Sequence, residues 1–133
     1  MRIVVGYDGS DAAKRALQRA ADLAKEGDQI VVVASAETHA ASGPTGGAHR
    51  DPSEFQQRGG ALEAAKQFLS ERGLVAELVE AHGDPGTAIV EAASEPDLII
   101  VGSRGLNPVQ RLLLGSVSSK VVHRAQGDVL VVR

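Results

Sequence analysis

Short runs of branched aliphatic residues alternate along this chain with longer Ala- and Leu-rich stretches, and that alternation restricts the fold more than any other feature. Ile3-Val4-Val5, Ile30-Val31-Val32-Val33, Leu98-Ile99-Ile100-Val101 and Val129-Leu130-Val131-Val132 are unbroken apolar runs. A strand that is apolar at successive positions has both faces buried, the condition of a parallel sheet covered by helices on each side. Of the 133 residues 43% are apolar but only 2% aromatic, so Val, Leu, Ile and Ala must fill the core. The length suits one domain spanning 1–133.

The pattern reads as five strands alternating with four helices. A first strand is expected from Arg2 to Tyr7, followed by a helix with Ser10 as its cap, Ala13, Leu17, Ala20, Ala21 and Ala24 on one stripe, and Gly27 at its close. Gln29 to Ser35 is the second strand. Thr38 to Pro52 collects Gly, Pro, Ser, Ala and His without apolar period and is expected to be a long mobile loop. A helix from Ser53 to Arg72 turns Leu62, Ala65, Phe68 and Leu69 inward, and a third strand runs from Leu74 to Ala81. Asp84-Pro85 is a cap followed by proline at the first helical position, with Pro96 marking that helix's end. Asp97 to Val101 is the fourth strand, Gly102 to Leu114 a glycine-bounded connection, Ser116 to Ala125 the last helix and Asp128 to Arg133 the last strand. The fold class is therefore α/β: a single-domain, open, mainly parallel five-stranded sheet with helices on both faces. Such sheets bind ligands at the carboxyl ends of strands, beside the point where strand order reverses. Those ends are Asp8 to Ser10, Ser35 to Glu37, and Gly102 onward.

Several function classes lose their support at this level. There is no Cys, hence no disulfide framework or thiolate metal site. The apolar run at Ile3 is too short for a secretory segment and no run approaches a membrane span, so a cytoplasmic location and no membrane partner are expected. A net charge of −3 argues against nucleic acid bound through a basic face.

The stretch that carries chemistry is Gly102-Ser103-Arg104-Gly105, then nine residues, then Gly115-Ser116, between a strand and a helix. Glycines let backbone approach an anion closely, and N–H groups at a helix start point at phosphate oxygens. Ser116 and Ser118 add hydroxyl donors. From Leu98 to Gly127 there is no Asp or Glu, while Arg104, Arg111, Lys120 and Arg124 supply four positive charges, a local field that favours a polyphosphate. By spacing alone, an equal reading is that Gly102, Gly105 and Gly115 punctuate turns, Ser116 caps a helix and the basic residues are solvated.

The spacing resembles the ATP-binding signature of the universal stress protein family: a Gly, two residues, a Gly, nine residues, then Gly-Ser or Gly-Thr, matched here without a gap. Ile3 to Ser10 is similar to the family's opening strand and its Asp-containing turn, and Val129 to Val132 to its closing strand. The resemblance implies strand order 3-2-1-4-5, the adenine nucleotide alpha hydrolase-like arrangement. It implies that Tyr7 and Asp8 lie against adenosine, Val101 flanks the base, Gly102 and Gly105 approach ribose and phosphates, and Gly115, Ser116, Val117 and Ser118 wrap the phosphate tail, with Arg104 as a nearby cation. Many members carry a His-Val pair where this chain reads Ala34-Ser35-Ala36, so the base contact there falls to main-chain groups of Ala34 or Ser35. ATP is the implied cofactor, with Mg2+ or Mn2+ held mainly by its phosphates. A homodimer through Val129 to Val132 is also implied, with slow ATPase or autophosphorylating activity at most; ATP acting as a switch ligand that changes a surface seen by an unknown regulatory protein partner is the working expectation.

Other readings of the same residues stay open. Asp8 could cap a turn, bind a sugar hydroxyl or act as a general base, although no second acid or base group stands beside it in the sequence. His39, His49, His82 and His123 lack zinc-ligand spacing. No G-x-S-x-G elbow or P-loop occurs, and the turn Gly6-Tyr7-Asp8-Gly9-Ser10-Asp11 lacks the Ser-Gly-Gly-x-Asp-Ser pattern of the ATP pyrophosphatases, which resemble this architecture. A nucleotide-independent dimeric interaction module is the alternative from another class.

Overall fold

The computed structural model describes residues 1–36, 52–94, 97–104 and 114–133. Its elements follow the expected alternation: β1 (Arg2–Gly6), α1 (Asp11–Leu23), β2 (Gln29–Ala36), α2 (Pro52–Ser70), β3 (Ala76–His82), α3 (Pro85–Ala92), β4 (Leu98–Gly102), α4 (Ser116–Arg124) and β5 (Val129–Val132). The strands form one sheet in the order β3-β2-β1-β4-β5, with every pair parallel. This is the order that the resemblance implied.

Alternating side chains of each strand feed two separate cores. Ile3, Val5 and Tyr7 of the first strand segment join Ile30, Val32 and Ile100 beneath α1 and α2, where Ala16, Leu17, Ala20 and Leu69 close over them. Val4, Val31, Val33, Ile99 and Val101 point the other way, against Ile89 of α3 and Val121 of α4. Small alanines on α1 let the helix lie close to the sheet. Two-sided burial is thus the reason the strands read as continuous apolar runs.

Differences from the sequence reading lie at element ends. Pro52, assigned to the loop, is the first residue of α2, a position where proline's missing N–H costs nothing. Beyond α2, the Gly73 turn has positive φ, and β3 starts at Ala76 rather than Leu74, because the Leu74 amide donates to the Leu69 carbonyl. α3 stops at Ala92, and the Asp97 carboxylate accepts the Ser94 amide; Pro96, expected to mark the helix end, lies outside the described residues. That Asp97 carboxylate also binds Arg2 at 2.8 Å, and Arg2 in turn donates to the Ala92 carbonyl. Remaining positions of the loop expectation, 38–51, lie outside the described residues, as do His39 and His49.

Ile100 is fully buried in a central strand, whereas Val75 is 76% exposed. Ile100→Ala should lower the unfolding free energy by about 3 kcal/mol in urea denaturation, and Val75→Ala should stay within about 0.5 kcal/mol. Equal small effects from both would contradict the core assignment.

Candidate functional site

Strand order reverses between β1 and β4, so their carboxyl ends border the crevice where a ligand can enter. On the β1 side, the chain leaves the sheet through Tyr7, whose N–H still donates to the Val33 carbonyl at 3.0 Å. The Tyr7 side chain is 7% exposed and belongs to the core under α1. Burial first, and the neighbouring Asp8 charge second, push its phenol above the ordinary tyrosine value. Asp8 is exposed, and its Oδ1 accepts the Ser10 N–H at 2.9 Å across Gly9, which takes a positive φ of 81°. Ser10 then caps α1 by accepting the Ala13 amide. The Asp8 carboxylate is therefore a turn-former with one oxygen accounted for and an exposed position at the crevice.

On the β4 side the placements are mixed. Val101, expected to flank the base, is 2% exposed and packed in the core beneath α3 and α4. Gly102 has a packing duty: a Cβ there would lie 2.8 Å from the Ala12 carbonyl carbon and 2.8 Å from its Cβ. Its missing side chain lets the first turn of α1 sit directly on the end of β4. Arg104 is exposed. Gly105 and Arg111 lie outside the described residues.

Main-chain direction settles what Ser35 offers. The Gln29 amide donates to Met1 and the Val33 carbonyl accepts from Tyr7, so odd residues of β2 direct N–H and C=O toward β1. Ser35 continues that series past the last registered pair, Gly6 with Val33, and so presents main-chain groups on the crevice side; Ala34 faces β3.

At the start of α4, Gly115 is the N-cap and contributes no side-chain hydrogen bond, in contrast to Ser10 on α1 and Asp84 on α3. Ser116 is exposed and Val117 partly so. Ser118, expected to offer its hydroxyl to phosphate, is 1% exposed and donates instead to the carbonyls of Ser103 at 3.2 Å and Gly115 at 3.1 Å. This placement has a simple cause: the third position of the helix turns inward, beneath the first turn. Ser103, which the sequence reading passed over, accepts the Gly115 amide at 2.6 Å and is buried. Only its place between two motif residues could have marked it.

Lys120 also departs from expectation. Its ammonium lies 2.9 Å from Asp84, and its stem packs where Gly86 has no Cβ. The basic field of this segment is thus partly neutralised by a carboxylate from α3. Bonds from Lys120, the Thr87 amide and the Thr87 hydroxyl hold Asp84 well below its ordinary value, at about 2. These residues fit an anion at main-chain amides better than one held by a cluster of cations. Among the described residues, no group of three or more acidic or histidine side chains could hold a metal ion, and no helix is long and apolar enough to cross a membrane.

Three comparisons bear on this arrangement. The model of the family described as "Universal stress protein family" matches residues 1–133. The universal stress protein YxiE of Bacillus subtilis is 36% identical over 145 aligned positions, covering 99% of this chain and 98% of the relative. Among solved structures, a universal stress protein in complex with cAMP is similar with a TM-score of 0.72 at 30% identity, covering 100% of this chain and 96% of that one. A universal stress protein from Archaeoglobus fulgidus in complex with dAMP gives 0.70 at 28% identity, covering 100% and 98%.

The Asp84 pKa is lowered in the folded state, so the stability it contributes is complete above about pH 4 and disappears as pH falls through about 2. Urea midpoints measured between those values should therefore fall more steeply for the wild type than for Asp84→Asn. Because Asp84 is nearly half exposed, solvent screening keeps the difference small. Parallel pH profiles for the two proteins would show that the Lys120 contact has no thermodynamic weight.

Proposed function

Because this chain belongs to the universal stress protein family along its whole length, we propose that it binds ATP as a regulatory ligand at the carboxyl ends of β1 and β4. The observation that carries the reading is the start of α4. Gly115 leaves the first amides of that helix without a side-chain cap, in a segment from Leu98 to Gly127 free of acidic residues. Such amides have no partner within the helix and sit at the positive end of its dipole, which suits phosphate oxygens. Similar proteins held in complex with cAMP and with dAMP support an adenine nucleotide in particular.

In this reading the phosphates meet the amides of Ser116 and Val117 and the Ser116 hydroxyl, with Arg104 as an exposed cation beside them. Asp8, an exposed acceptor, suits a ribose hydroxyl, and the β1-facing main chain of Ser35 suits the edge of the base. Tyr7, Val101 and Gly102 act by shaping and holding these walls from within. Mg2+ or Mn2+ accompanying the nucleotide would be held mainly by its phosphates. The nucleotide works as a switch ligand in a cytoplasmic protein: it alters a surface met by a regulatory protein partner, to the extent that it binds one conformation better than another. No catalytic residue is assigned, and slow hydrolysis or autophosphorylation is the most this site would support.

Titration calorimetry with ATP should give saturable binding to the wild type and at least about tenfold weaker binding to Gly115→Val, whose branched side chain would cover the amides. Equal affinities would reject the α4 site. An absence of binding, with no nucleotide released from the denatured purified protein, would favour the nucleotide-independent interaction module.

The reading includes a homodimer through β5. Val129–Val132 carries no charge and each residue is only partly buried, while the opposite edge strand, β3, exposes Glu77 and Glu80. Charged edges resist strand pairing and uncharged apolar ones invite it. Sedimentation at micromolar concentration should give a dimer, and Val131→Lys should shift it toward monomer; a wild type that remains monomeric would eliminate this interface.

A further inference from the structure

The two ends of the connection between β4 and α4 meet at one buried carbonyl. Ser103 C=O accepts the Gly115 amide at 2.6 Å and the Ser118 hydroxyl at 3.2 Å, while the Ser103 amide donates to Val132 of β5 at 2.7 Å. The acceptor is thus anchored to the sheet on one side and tied to the helix on the other. The Ser118 hydroxyl is 1% exposed and directed at main-chain carbonyls within the protein.

The Ser118 proton has a second acceptor, the Gly115 carbonyl at 3.1 Å. That bond lies within the helix's own first turn and resembles the back-bonding open to any helical serine. The bond to Ser103 is different in kind, because it leaves the helix and reaches the end of β4.

We propose that Ser118 is a positioning residue for the phosphate end of the site: by binding the Ser103 carbonyl, it fixes the first turn of α4 against β4 and sets the aim of the Ser116 and Val117 amides. The inference rests on the reading that ATP phosphates meet those amides. Hydrogen bonds weaken steeply with misalignment, and donors held in place beforehand bind more tightly than donors that must be ordered by the ligand. With alanine at 118, Ser103 C=O keeps its bond from Gly115, so no buried polar group is orphaned and the helix keeps its own ladder. What is lost is one of two ties between helix and strand. Affinity and stability therefore separate in this variant.

The test compares wild type, Ser118→Ala and, as a control, Ser119→Ala, the next serine along, whose amide bond to the Gly115 carbonyl the substitution leaves in place. Each is titrated with ATP, melted in the absence of nucleotide, and followed by amide hydrogen exchange at Gly115. Ser118→Ala should bind ATP about three- to tenfold more weakly, the range expected for one hydrogen bond. Its melting temperature should stay close to wild type, its Gly115 amide should exchange faster, and Ser119→Ala should match wild type throughout. Undiminished ATP affinity in Ser118→Ala, with the wild type binding normally, would overturn the positioning role and leave the ATP site standing. A lowered melting temperature with unchanged affinity would assign Ser118 to the core alone. If the wild type itself takes up no ATP, the binding reading fails and the positioning role falls with it.

Discussion

Both faces of a parallel sheet are covered in this molecule, and the main-chain polar groups of its three inner strands are consumed by their neighbours, so on those strands a polar ligand reaches unpaired backbone at the strand ends. The described helices divide two and two: α1 and α2 over one core, α3 and α4 over the other. Reversal of strand order between β1 and β4 then opens one crevice at the carboxyl ends. The residues proposed for ligand binding lie along it, because the inner strands are covered on both faces and paired on both sides.

Absent side chains set the distances around that crevice. Gly102 allows the first turn of α1 to rest on the end of β4, and Gly86 allows the Lys120 stem to rest on α3. A Cβ at Gly102 would meet backbone, which cannot rotate away as a flexible side chain can; the same motif position that suggests close approach to a ligand therefore serves close approach of a helix. These two uses are compatible. Contact between α1 and β4 sets the first turn of α1 against the strand end where Ser103 and Arg104 begin the connection to α4.

Electrostatics in the site depend more on main-chain direction than on net charge. Lys120 is held by Asp84, so its charge serves to join α3 to α4. The anion site proposed here uses the start of α4, where Gly115 supplies no cap and Ser116 is exposed, with Arg104 as an exposed cation. Two other helices, α1 and α3, have their starts occupied by Ser10 and Asp84.

Local sequence determined the elements and their order, because continuous apolar runs, helical stripes, the Ser10 and Asp84 caps and the positive-φ turns at Gly27 and Gly73 each depend on neighbours along the chain. The spacing from Gly102 to Ser116 likewise marked the segment for which an anion site is proposed. Tertiary structure decided which atoms are free to form it. That Tyr7 and Val101 point into the two cores, that Ser118 turns inward to Ser103, and that Lys120 is paired with Asp84 follow from which face of a strand or helix meets which neighbour. A linear pattern specifies residue types and intervals, whereas the direction of a hydroxyl or an ammonium group is fixed by contacts between segments distant in the chain.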